Sequence, residues 1–350
     1  MNRRSLLGLV AALGVLAVLA ALALLARRPA NPADGPFLPG FRDELNAVSR
    51  IVVTGPGNAE VATLERGADR WTVGGRDGYA ADVARIRKNL LALADARIVE
   101  QKTANPDFYA RLGVADPGAT DGAGTRLTIT GTGRPVDVIV GNALPGAAGQ
   151  TYVRRAGEAE SWLVAAQFDL GKTAGEWLDR ALTDIPAGRI ASVTIDHPGV
   201  ETLRITRAPE PAAPDEGAAD EAGEPADDLV EFRVAGIPAG RELSYPGIAN
   251  GVAGTLADLR LEDVQTREAL GAEPGKPVVA RFVTTDGLTI EASSWRLPTG
   301  TRVTFSASGT GGAASEAETL NQRLGGWVYT LPSYKSEQLT RRLTELLAPK

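Results

Sequence analysis

Two stretches of this chain echo each other at a fixed distance, and that echo limits the folds open to it more than any single motif does. SWLVAAQFDL occupies residues 161–170 and GWVYTLPSYK occupies 326–335, so Trp162 and Trp327 stand 165 residues apart in a chain with five tryptophans. At the same offset Leu178 falls on Leu343 and Leu182 on Leu347. Upstream, setting Tyr79 on Tyr245 places Ile86 on Val252, Leu90 on Leu256, Leu93 on Leu259 and Ile98 on Val264. One matched pair of tryptophans is easily accidental; the same order of elements through both halves is not. The chain reads as an internal duplication, with a first α+β repeat at 45–185 and a second at 189–350. A length of 350 residues agrees, since a single hydrophobic core stops growing beyond about 250–300 residues.

Local patterns give the two repeats one make-up. SRIVVTG (49–55), EVATLERG (60–67) and DRWTVGG (69–75) are short, β-rich and divided by Gly, Asn or Asp, which predicts strands. In YAADVARIRKNLLALADA the period changes, and Val83, Ile86, Leu90 and Leu93 share one helical face. ARIVEQ, TRLTITG, VDVIVG, TYVRRAG and SWLVAA read as strands again, and AGEWLDRAL (174–182) as a closing amphipathic helix. ASVTIDHPG, ETLRITRA and VEFRVAG answer the first three strands, with Phe232 in the place of Trp71. Pro246 predicts a helix start, where a missing N–H costs nothing. VARFVTTDG, TIEASS and TRVTFSAS supply later strands before Trp327. The expected fold class is α+β: two related domains of mainly antiparallel sheet with packed helices.

Ahead of the repeats, Leu6–Leu25 is a run of 20 residues without a charge. As a helix it spans about 30 Å, the hydrocarbon thickness of a bilayer. The apolar region of a signal peptide is shorter, about 7–15 residues. Residues 1–28 therefore read as an N-terminal transmembrane helix, although Ala21-Leu22-Ala23 has the small-x-small form of a cleavage site and leaves removal as the alternative. Arg3 and Arg4 precede the run and Arg27 and Arg28 follow it, so the positive-inside count nearly balances, and the free amino terminus tips it toward N-in. Residues 29–44, rich in Pro and Gly, read as a spacer. The expected setting is the bacterial inner membrane, single-pass, with the bulk of the chain periplasmic.

The second repeat carries an insertion at 209–228, PEPAAPDEGAADEAGEPADD, with eight acidic residues and no basic one. Such a composition buries too little to offset its ordering entropy and predicts disorder. The chain's net charge of −6 becomes +2 without the insertion, and −2 once the four arginines flanking the anchor are also set aside. The folded part has no basic footprint for nucleic acid. Cysteine is absent, which excludes disulfides, thiolate metal sites and a cysteine nucleophile.

Reactive constellations are scarce. The single histidine, His197, stands at a strand end in TIDHPG and reads as a turn residue. GKT at 171–173 has Ala166 where a phosphate loop needs glycine, and GAEPGKP at 271–277 has one residue too few and Pro277 in place of the hydroxyl. Glu262 and Asp263, being adjacent, diverge on either a helix or a strand, and read as a solvated face without a partner. Arg154 and Arg155 offer charge for an anion but point to opposite faces of a strand. The candidate groove aromatics for a glycan or lipid are Trp71, Tyr79, Tyr109, Trp162, Trp295 and Trp327; packing of helix on sheet is their plainer use. No catalytic, cofactor-binding or metal-ligating set is assigned.

A resemblance covers nearly the whole chain. Trp71 and Val73, then Tyr79, Ala81 and Asp82, then Thr103, Pro106, Tyr109, Leu112 and Gly113, then Tyr152, Val153 and Arg154 fit an ordered pattern. Behind an apolar N-terminus, this set resembles the bacterial family catalogued as domain of unknown function 4340. Ala80 departs from the family's usual proline, which Pro246 restores in the second repeat. The resemblance implies an anchored envelope protein, in several members encoded beside ABC-type transport components associated with gliding motility, and it brings no catalytic residues. The expected function is a non-enzymatic accessory or interaction subunit of a transport or export assembly, with membrane ATPase and permease partners. A periplasmic glycan- or lipid-binding module is the alternative, and a hydrolase working through carboxylates alone is a third class.

Overall fold

The computed structural model describes residues 35–209, 231–271 and 275–349. The expected anchor from Leu6 to Leu25, the first part of the spacer and the acidic insertion beyond Pro209 lie outside the described residues. Among the described residues no helix is long and apolar enough to cross a membrane. The chain divides into two compact units, Met1–Trp71 with Val83–Lys172, and Thr72–Asp82 with Thr173–Lys350.

The first unit is built on β1 (Arg50–Gly55), β2 (Ala59–Arg66), β3 (Trp71–Val73), β4 (Arg97–Gln101), β5 (Thr125–Thr130), β6 (Val136–Ala143), β7 (Gln150–Arg155) and β8 (Ser161–Ala165). They form one sheet in the order β3-β2-β1-β5-β6-β7-β8-β4. Alternation of apolar side chains sets the register. Ala62, Val53, Leu127 and Val138 are successive cross-strand partners, and all four are buried. A one-residue slip would turn that row to the opposite face. The helix α1 (Val83–Ala94) buries Ile86, Leu93 and Ala94, while Val83 and Leu91 are exposed. Asn89 of α1 is also buried, because its Nδ2 donates to the Asp169 carbonyl (2.9 Å) and its Oδ1 accepts from the Asp169 N–H (2.8 Å). The end of the expected spacer is built into this unit. The Phe37 N–H donates to the Ala96 carbonyl (2.8 Å), Pro36 pairs with Arg97 beside β4, and the Phe37 ring is fully buried.

The second unit contains β9 (Ala181–Thr183), β10 (Ile190–Asp196), β11 (Leu203–Arg207), β12 (Phe232–Val234), β13 (Leu259–Arg260), β14 (Asp263–Thr266), β15 (Val278–Thr284), β16 (Leu288–Leu297), β17 (Gly300–Gly309) and β18 (Trp327–Thr330). Eight of them form a sheet in the order β12-β11-β10-β15-β16-β17-β18-β14, and β9 pairs with β13 apart from it. The order is that of the first sheet, strand for strand, and every described pairing in both sheets is antiparallel. Leu203, Ile195, Ala280, Ala292 and Phe305 make the corresponding buried cross-strand row. The sequence offset survives in the register: Trp162 faces Gln101, the last residue of β4, and Trp327 faces Thr266, the last residue of β14.

Three local expectations differ from the structure. AGEWLDRAL is a 3-10 turn (Ala174–Trp177) followed by extended chain and β9, not a helix. Its backbone groups are claimed from outside the segment: the Trp177 carbonyl accepts from Asp82 N–H (2.7 Å), Asp179 N–H donates to the Ala80 carbonyl (2.9 Å), and Arg180 accepts from Leu261 N–H (2.9 Å). Pro246 does not open a helix either, since α2 (Ile248–Ala253) starts after Gly247, whose φ of 78° breaks the helical path. Conversely α3 (Ala313–Leu324) stands between β17 and β18, where only strands were expected, and packs along β16 and β17 through Ala313, Ala317, Leu320 and Leu324. The chain closes with α4 (Ser333–Leu339) and the single turn α5 (Leu343–Leu346).

Candidate functional site

Register in the second sheet gathers polar side chains at one end of its strands. Asp196 of β10 pairs with Val279, Val278 of β15 with Ser294, and Arg296 of β16 with Thr301 of β17. His197, the residue after β10, Ser294 and Arg296 thereby reach a common end of the sheet. The chain from α4 to α5 forms the facing wall through Glu337, Thr340, Arg341, Arg342 and Glu345. Between them lies a cavity of about 520 Å³. A second space of about 320 Å³ shares Arg296, Thr301, Glu337 and Thr340 with it and adds Glu262.

The polar groups of this cleft are unevenly satisfied. His197 is buried and its Nε2 lies 3.3 Å from the Arg341 carbonyl oxygen, which ties floor to wall. The Glu345 carboxylate accepts the Arg342 N–H (3.1 Å). Ser294 is only 3 % exposed and its Oγ has no hydrogen-bond partner among the described residues; the buried Nε of Arg341 likewise has none. Among the described residues no carboxylate forms a salt bridge with Arg296, Arg341 or Arg342. The cleft therefore concentrates unpaired positive charge and unused donors beside two carboxylates.

The aromatics singled out in the sequence are distributed through both units. Tyr79 and Trp327 come together in the second unit, ring centroids 5.0 Å apart and edge to face, and Tyr329 stands 6.4 Å from Tyr79. Burial, with Asp179 adding to it, pushes the Tyr79 phenol up to about 12, and burial raises Tyr329 as well. Trp295 is buried and its Nε1 donates to the Gly275 carbonyl (3.1 Å). In the first unit Trp162 is buried in β8, Trp71 is half-buried in β3, and Tyr109 lines a cavity of about 680 Å³. The structure brings Tyr79 to Trp327 and does not bring Tyr109 to Trp162 as ring partners. Asp263, expected to lack a partner, receives Arg76: Nε donates to Oδ1 at 2.6 Å and Nη2 to Oδ2 at 3.2 Å. Arg76 lies 187 residues away, so sequence spacing gave no sign of it.

The motif residues of the first unit close into one assembly. Pro106 starts a 3-10 turn capped by Asn105, and the single helical turn Tyr109–Leu112 follows and ends at Gly113 (φ 68°), where a left-handed residue releases the helix. Tyr109 Oη donates to the Ala159 carbonyl (2.5 Å). Arg154, buried in β7, lies 4.6 Å over the Tyr109 ring, and its Nε donates to the Val114 carbonyl (2.9 Å) and its Nη1 to the Glu158 carbonyl (3.0 Å). Ser161 Oγ donates to the Thr103 carbonyl (2.7 Å) and accepts the Thr103 N–H (3.1 Å). Arg155 points the other way, onto the Phe37 ring at 4.7 Å. The tyrosine, the glycine and the first arginine of the pattern are thus parts of one packed corner.

Residues 71–244 match the family described as "Domain of unknown function (DUF4340)". Over those residues the chain is similar to that family. The match runs from the first residue of β3 to Ser244, just ahead of α2, and takes in strands of both sheets. It contains the whole Thr103–Arg154 corner and Tyr79, but not Ser294, Arg296 or Arg341 of the cleft. No curated protein and no solved structure matches the chain.

Proposed function

We propose that this protein is a non-enzymatic, membrane-anchored accessory subunit of an ABC-type transport or export assembly, with its two folded units on the periplasmic side of the bacterial inner membrane. In this reading the apolar run Leu6–Leu25 is a single-pass anchor, and the two units descend from duplication of one α+β unit. The observation that supports it most is the common strand order of the two sheets. A duplicated unit on one tether offers two similar faces to neighbouring subunits, which is what a scaffold needs. Three of the four edge strands are poor templates for further strand addition: β3 is short and its Val73 N–H is taken by the Tyr79 carbonyl, β12 is three residues long, and β4 is flanked by Pro36. Contacts with partners then run mainly through side chains on the unit surfaces. Gentle detergent extraction of the full-length chain, followed by affinity purification and cross-linking in vivo, should recover a membrane ATPase and permease. Purification of the protein alone under several mild detergents, with no membrane partner cross-linked, would overturn the reading.

A further inference from the structure

The cleft at the end of the second sheet is built for a ligand that neither the family description nor the accessory role requires. Two of its lining groups, the Ser294 hydroxyl and the Arg341 Nε–H, are buried without partners. Leaving a buried donor unmade costs on the order of 1–3 kcal/mol, and both residues line the same cleft, so an acceptor seated there would satisfy both. Arginine Nε–H is a donor with no acceptor capacity, and a serine hydroxyl donates readily, so the complementary atom is an acceptor. Arg296 and Arg342 add two further guanidinium groups with no carboxylate bound, and a guanidinium fork matches the paired oxygens of a carboxylate or phosphate.

The rest of the lining narrows the class. Three arginines against Glu337 and Glu345 leave the cleft one positive charge in excess, which suits a ligand with a single anionic group. Glu337 accepts and cannot donate, and Thr301 and Thr340 do both, so the far side suits hydroxyls. A volume of about 520 Å³ falls within the range of small-molecule sites, about 300–1,000 Å³. His197 holds the Arg341 backbone at 3.3 Å, which fixes the start of that arginine's side chain before any ligand arrives.

We propose that this cleft binds a small, hydroxyl-bearing anion, its carboxylate or phosphate received by Ser294, Arg341 and Arg296 and its hydroxyls by Glu337 and the two threonines. The assignment stands whether or not the accessory reading holds. The test is calorimetric titration of the full-length protein in detergent with glucuronate, inorganic phosphate and glucose as probes. Saturable binding of glucuronate or phosphate, without binding of glucose, is expected, and the tighter of the two anions shows which headgroup the site prefers. Arg341→Gln and Arg296→Gln should each weaken that binding about tenfold, a loss equivalent to one charge-assisted hydrogen bond. Arg296 is exposed on the rim, so its variant reports on the site even if the change at the half-buried Arg341 disturbs the fold. Absence of saturable binding by both anions, equal binding of glucose, or affinity unchanged in both variants would each overturn the proposal.

Discussion

Tyr79 is the most informative single residue to alter. It lies in a stretch flanked on both sides by chain of the first unit, yet it is 6 % exposed within the second, against Trp327 and Tyr329. Truncating a fully buried aromatic to alanine costs about 3–5 kcal/mol, and this includes an edge-to-face pair worth about 0.5–1.5 kcal/mol. Tyr79→Ala should therefore remove about a fifth or more of a stability that is about 5–15 kcal/mol for an ordinary domain. Tyr79→Phe keeps the ring and should cost about 1 kcal/mol. Urea titration followed by tryptophan fluorescence, which Trp327 reports directly, measures both. The phenol adds a pH signature. Its folded pKa of about 12 lies above its ordinary value of 10.0, so the neutral form is favoured in the fold. That stabilisation is complete below pH 10 and drains away as the pH rises through 12, where it has cost about 2–3 kcal/mol. Tyr79→Phe should lose this share of the alkaline decline, leaving the part due to Tyr329. A Tyr79→Ala protein within about 0.5 kcal/mol of wild type, the range of surface changes, would refute the argument that Tyr79 anchors its segment.

Other residues give separate tests. Arg154→Met strips two carbonyls and the Tyr109 ring of their partner, and should cost about 2–4 kcal/mol by urea midpoint; Arg154→Lys should not rescue it, because an ammonium cannot span Val114 and Glu158. Gly122→Ala should destabilise by more than about 2 kcal/mol, because its Cβ would lie 2.2 Å from the Ala110 Cα at a φ of 63°, whereas Gly57→Ala, with open space and a φ of 74°, should cost only about 1 kcal/mol of backbone strain. A double-mutant cycle on Arg76 and Asp263 should give a coupling of about 1 kcal/mol that shrinks in high salt, since both side chains are partly exposed.

Strands were legible wherever the alternation was clean. The row from Ala62 to Val138 and its counterpart from Leu203 to Phe305 follow from period-two burial, and α1 from a period near 3.6. Helix α3 was missed because half of its buried face is alanine, so AASEAETLNQRL shows little apolar contrast although Ala313, Ala317, Leu320 and Leu324 keep helical spacing. AGEWLDRAL failed for the opposite reason: its amphipathic pattern was real, but distant backbone partners at Ala80, Asp82 and Leu261 outcompeted local helical bonds. The cleft left no mark in the sequence. Ser294 and Arg296 meet Arg341 only through strand register and the path of α4, and no spacing rule joins positions so far apart.

The assignment of residues 72–82 to the second unit also constrains the order in which the chain can acquire its structure. Synthesis adds about 5–20 residues per second, so the strand bearing Trp327 emerges roughly 12–50 s after Tyr79. In that interval β4 to β8 are made, and the first sheet has all its strands. Tyr79 must wait as a looped-out apolar side chain until the last described β-strand appears. A nascent chain halted anywhere before Trp327 would present that tyrosine to chaperones and to other unfinished copies.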